Sequence, residues 1–113
     1  MPDDRPRSTP STAAILDLLG RRWALRVLWE LREDPATFQA LHSRCDSMST
    51  SVLSTRLTEL READLVERDP SGRYHLTAHG RTLLEQLSWV DDWSRQWAGT
   101  VEDAARRRER PSG

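Results

Sequence analysis

A chain of 113 residues, 36% hydrophobic and 31% charged, has room for one domain with a lean core. Its formal net charge of -1 excludes a protein that holds polyanions by bulk charge, even though all 17 cationic side chains are arginine. The single cysteine, Cys45, excludes an intramolecular disulfide and fits a reducing compartment, and no run is long and apolar enough to span a bilayer.

Residues 1–10 are polar and proline-rich, lack the apolar centre of a signal peptide, and are expected to form a disordered lead. Cytoplasm is the expected location. The folded domain is expected over residues 11–104, with 105–113 as a disordered basic tail. Ser11 is placed to cap a first helix carrying Ala14, Ile15, Leu18 and Leu19, which Gly20 stops. Trp23, Val27, Leu28 and Leu31 follow at helical spacing, and Pro35 lies past the end of that second helix. Thr37 caps a third, with Phe38, Leu41 and Cys45 on one side, before a turn at Asp46 and Ser47.

Ser49 caps a fourth helix with Val52, Leu53, Leu57 and Leu60 inward, and Asp64 suits a left-handed exit from it. Residues 65–68 and 73–76 read as short strands around the turn Asp69-Pro70-Ser71-Gly72. Thr77 begins one long last helix reaching at least Trp97. Two helices across a tight turn, then a hairpin, give a mainly α winged helix-turn-helix with a small β-hairpin wing.

Seven of the twelve residues from Ser47 to Thr58 carry a hydroxyl, and the one charge among them is Arg56. A helix in the major groove of double-stranded DNA needs short donors and acceptors near its start and no carboxylate facing phosphate. Ser49, Thr50, Ser51, Ser54, Thr55 and Thr58 are therefore the candidates for base edges or phosphate, with Arg56 and, from the hairpin, Arg68, Arg73 and His75. The plainer alternative is a solvated helix decorated with hydroxyls. Residues 33–64 also hold three arginines against six acidic residues, which keeps a winged-helix protein-interaction module without DNA binding as the rival.

Trp89, Trp93 and Trp97 recur every fourth residue. Taken with Leu83, Leu84, Leu87 and Val90 on one continuous helix, they cover an arc of roughly 220°, wider than the ~100° stripe one core needs. A second face must then be buried, and a homodimer through the N- and C-terminal helices is the economical occupant. Ile15, Leu19, Trp23, Leu87, Trp89, Val90, Trp93 and Trp97 are the residues expected there, or around a small aromatic effector. His42 and Cys45, three apart, do not amount to a metal set, and no catalytic motif stands out, so neither metal, cofactor nor enzymatic activity is expected.

Several motifs together resemble the HxlR family of bacterial regulators, near the MarR-like winged helices. They are Gly20-Arg21-Arg22-Trp23 (one residue longer than the family's Gly-Lys-Trp), Phe38-x-x-Leu41, Ser49-x-x-x-Leu53-x-x-Arg56-Leu57-x-x-Leu60, Asp64-Leu65-Val66-Glu67-Arg68, and Tyr74-x-Leu76-Thr77-x-x-Gly80. The resemblance implies a homodimeric transcription regulator on a near-palindromic operator. Two departures stand out: only residues 69–73 separate the strands, shortening the wing, and the cysteine that many members carry before the first helix is missing. Cys45 falls where the family places an apolar residue, which argues against thiol sensing.

Overall fold

The computed structural model describes residues 11–109, so the expected lead at 1–10 and the last four residues lie outside the described residues. In chain order the elements are α1 (Ser11–Leu19), α2 (Ala24–Glu30), α3 (Phe38–Arg44), α4 (Thr50–Glu62), β1 (Val66–Arg68), β2 (Tyr74–Leu76), α5 (Ala78–Gln86) and α6 (Trp89–Glu109). The chain divides into two units between Arg81 and Thr82.

The first unit is built on α2 and α4, which pack on each other, with α1 and α3 against α2 and β1 against α4. Its core is Ala24, Val27, Leu28, Leu31, Leu41, Cys45, Met48, Leu53, Leu57, Leu60, Leu65, Val66 and Leu76; the helical periodicity marks most of the helical ones, though not Ala24, while Trp23, Phe38 and Val52, also marked by it, are only half-buried. Cys45 is wholly buried, and burial pushes its thiol above its ordinary pKa. Caps fall largely where the side chains allow. Thr37 Oγ1 accepts from the Ala40 amide at 3.1 Å, and Ser49 Oγ from the Val52 amide at 3.1 Å. Ser11, by contrast, lies inside α1 as its first residue.

The two strands pair antiparallel in the register Val66–Leu76, Glu67–His75 and Arg68–Tyr74. A third backbone segment joins them: Ala36 N–H donates to Tyr74 O at 2.9 Å and Tyr74 N–H donates to Ala36 O at 2.7 Å. Asp64 has φ 59, the left-handed exit expected of it. There Thr77 Oγ1 donates to Asp64 O at 2.6 Å and accepts from the Gly80 amide at 3.0 Å, capping α5. Gly80 packs against the same corner so closely that a Cβ on it would lie 2.2 Å from Leu65 O. Its place in the motif is thus set by backbone approach.

Three further expectations about the elements fail. Trp23 does not belong to α2 but stands before it with φ 78, a left-handed conformation that costs a bulky residue roughly 1–2 kcal/mol. The single last helix is two helices, interrupted at Leu87 and Ser88. There Ser88 Oγ donates to Glu85 O at 2.8 Å and backbone bonding shortens to the third residue back, as when Ser88 N–H donates to Glu85 O at 3.2 Å. Ser88 followed by Asp91 and Asp92 is a helix-start signature, since acidic side chains favour a helix N-terminus. The 220° arc, computed for one continuous helix, therefore does not exist as such. Finally, residues 105–109 continue α6 instead of fraying: Arg106 pairs with Asp103, and Arg106, Arg107 and Arg108 sit at the end where cations oppose the helix dipole.

In the second unit, α6 buries none of its side chains. Trp89, Trp93, Trp97 and Val101 form its exposed stripe; Trp93 and Trp97 stack with ring centres 5.9 Å apart and planes 9° from parallel.

Candidate nucleic-acid interface

The interface is built on α4. Leu53, Leu57 and Leu60 fix its rotation by entering the core, which leaves Ser51, Ser54, Thr55 and Thr58 exposed on the other side with Ser49 and Thr50 at the start. The turn before it is fixed in two ways. Ser47 takes φ 73, and His42 Nε2 lies 2.8 Å from Met48 O, a contact that needs the hydrogen on Nε2. A shallow hollow lined by Phe38, Gln39, His42, Ser43 and Thr50 joins α3 to the N-terminal, positive end of α4. Gln39 and Ser43 are exposed and line it with Thr50, a grouping that sequence spacing does not show because it depends on how the chain folds between α3 and α4.

The hydroxyls are not equivalent. Ser49 caps the helix and lies 3.2 Å from Ser51 Oγ. Thr55 Oγ1 donates to Ser51 O at 2.9 Å, and Thr58 Oγ1 donates to Ser54 O at 3.0 Å. Thr50 and Ser54 donate their hydroxyl hydrogens to no group among the described residues.

Arg56 turns away from this face. Its Nε donates to Arg22 O at 2.7 Å and its Nη1 to Glu59 Oε1 at 2.7 Å, and its side chain is only 19% exposed. Glu59 also holds Arg21, which reaches back to Asp17 Oδ2 at 3.2 Å. Arg56 is thus a clamp from α4 to the joint between α1 and α2, immediately before the strained Trp23, and not one of the outward cations its position suggested. The clamp also neutralises Glu59, one of the six acidic residues behind the local excess of negative charge.

The hairpin supplies the remaining candidates. Asp69 Oδ1 accepts from Ser71 Oγ at 2.6 Å, Ser71 N–H at 2.9 Å and Arg73 N–H at 3.0 Å, which holds its carboxyl below the usual range. Gly72, at φ 90, closes the turn in a region that side chains avoid. Arg73 is exposed beside it, with no ion pair among the described residues, and Arg68 lies 5.8 Å over the Tyr74 ring. His75 is half-buried and faces Glu67 across the strands at 3.7 Å. Thr50, Ser51, Ser54, Thr55 and Thr58 therefore share one helix, and Arg68 and Arg73 share the wing, while Arg56 and His75 are engaged within the protein.

The residues expected at a dimer or effector site fall into separate places. Ile15 is half-buried on α1, a helix that buries no residue and leaves Leu16 63% exposed. Leu19 and Trp23 line an open hollow with Arg21, Arg22, Leu25 and Arg26. Leu87 lies at the break after α5, and Trp89, Val90, Trp93 and Trp97 lie on α6. No group of three or more His, Cys, Asp and Glu able to hold a metal occurs among the described residues, and none of their helices is long and apolar enough to cross a membrane.

The family described as HxlR-like helix-turn-helix matches residues 18–102. An uncharacterized HTH-type transcriptional regulator of Methanocaldococcus jannaschii, MJ0925, is 30% identical over 88 residues, 74% of this chain and 82% of that relative. The crystal structure of quinone-bound YodB from Bacillus subtilis superposes with a TM-score of 0.73 at 28% identity, covering 78% of this chain and 99% of that one. A possible HxlR family transcriptional factor from Thermoplasma volcanium shares the fold, with a TM-score of 0.67 at 22% identity over 84% of this chain and 87% of that chain. The winged helix-turn-helix, its motifs and these likenesses agree: the chain belongs to the HxlR-like helix-turn-helix family of transcription regulators, which is not a family of enzymes.

Proposed function

We propose that the protein is a sequence-specific DNA-binding regulator that acts in the cytoplasm as a homodimer on a near-palindromic operator. The observation that carries this is the outer face of α4, whose exposed side chains from Ser49 to Thr58 are all hydroxyl-bearing and free of carboxylate. Thr50, Ser51, Ser54, Thr55 and Thr58 enter the major groove, while Arg73, with Arg68, binds phosphate beside it. Two copies place their α4 helices in major grooves about 10 base pairs apart or a multiple of that. The occupant of the α6 stripe is a second copy: Trp89, Trp93, Trp97 and Val101 line one side of a 21-residue helix. YodB, which has been crystallised with a quinone, supports modulation by a small aromatic effector, and the tryptophans are the side chains suited to stack on one.

The test is binding of the full chain to DNA upstream of its own gene against random duplex at two salt concentrations. Tighter binding to the native region, weakening as salt rises, is expected. Arg73→Ala should lower affinity about equally for both DNAs, as loss of a phosphate contact does. No DNA affinity, together with capture of a defined protein partner by α4, would instead establish a protein-interaction module.

A further inference from the structure

Resting on the DNA-binding reading above, we propose that the middle of α4 recognises the C5-methyl group of thymine, through the γ-methyls of Thr55 and Thr58. A threonine hydroxyl has one hydrogen. In Thr55 it is donated to Ser51 O at 2.9 Å, and in Thr58 to Ser54 O at 3.0 Å. Both side chains are exposed, so what they turn outward is a methyl group and an oxygen that can only accept. Guanine shows the major groove two acceptors, N7 and O6, and neither threonine can donate to them. The long side chains that pair bidentately with guanine or adenine are missing from the exposed face between Thr50 and Thr58. Arg56, which has the reach, is held inward on Arg22 O and Glu59. Thymine carries the one methyl group that the four bases present in that groove, and Thr55 and Thr58 carry the only methyls on the exposed face of α4 beyond its first residue. Thr50 and Ser54, whose hydroxyl hydrogens go to no group among the described residues, add one polar contact each without supplying a bidentate code.

The experiment begins with selection of duplexes by the full chain from a random pool, which yields an operator. Each thymine of that operator is then replaced by deoxyuridine, which removes the methyl and keeps every hydrogen bond. One or two thymines per half-site should lose about fourfold in affinity on replacement, the effect of burying one such group. Thr55→Val keeps the methyl and should retain both affinity and the uracil effect. Thr55→Ser keeps the hydroxyl; it should bind the operator about fourfold more weakly and no longer tell thymine from uracil at its position. The idea is overturned if uracil is silent throughout a good operator, or if Thr55→Ser keeps discrimination and Thr55→Val loses it. It is equally overturned if 7-deazaguanine replacements carry the whole effect. A pool that yields no preferred sequence would overturn sequence-specific binding itself, a different result from a selected operator that ignores the methyl.

Discussion

Helices α4 and α6 both carry apolar residues at helical spacing, and they meet opposite fates. α4 buries Leu53, Leu57 and Leu60 completely or nearly so, while α6 leaves Trp89, Trp93 and Trp97 at 61%, 53% and 55% exposure. Helical period identifies an apolar face; it does not say whether the same chain covers it. In α4 the spacing is matched by α2 and β1, so the stripe is a core. In α6 the aromatic side chains line a surface whose occupant, on the reading above, is another molecule. Composition tells the two apart better than period does: branched aliphatic side chains suit a small core, and tryptophans suit an interface.

The comparison can be broken where it is most exposed. Gly80→Ala drives a methyl into Leu65 O and should cost the first unit about 3 kcal/mol, read by denaturant unfolding. A loss under about 1 kcal/mol would mean that this corner yields easily and its packing is looser than that of a core. Trp93→Ala or Trp97→Ala should each weaken self-association by about 2 kcal/mol. Sedimentation equilibrium would show this as a dissociation constant roughly 30-fold higher. Fold content should be unchanged at concentrations that keep the wild type monomeric. Unfolding of the monomer by either substitution would put α6 in the same category as α4.

The smallest effect concerns the wing. Asp69 has a lowered pKa, so its ionised form favours the folded turn. The contribution is present above the carboxylate's unfolded value, about 3.9, and is lost as pH falls through the folded one. The protection of the Ser71 and Arg73 amides, taken relative to the intrinsic exchange rate at each pH, should therefore fall below about pH 4 while the core amides of α4 stay protected. Equal loss of protection in both would show that the tip has no separate stability.

Much of this was legible from residue order. Thr37, Ser49, Asp64 and the Asp69-to-Gly72 turn act where local chemistry sends them, because caps and turns depend on neighbours within four residues. What escaped notice depends on distant partners. Sequence position alone makes Arg56 an outward cation, because nothing in it says that the Arg22 carbonyl, 34 positions earlier, lies within its reach. Ala36 gives no strand pattern, since a single bridge to Tyr74 has no period. The break at Ser88 was the one missed feature with a local sign, as Ser88 and the acidic pair after it mark a helix start that the regular tryptophans concealed.

The pairing of Ala36 with Tyr74 has a mechanical consequence. It fastens β2 on the side away from β1, so Tyr74 is held from both sides and residues 69–73 project beyond that point. The wing is a cantilever with a fixed root, and its reach depends on how many residues the chain places beyond that root. Lengthening or shortening the tip would alter that reach while leaving the helices, their core and the Arg56 clamp untouched, which makes the wing the part of this fold most open to change without cost to the rest.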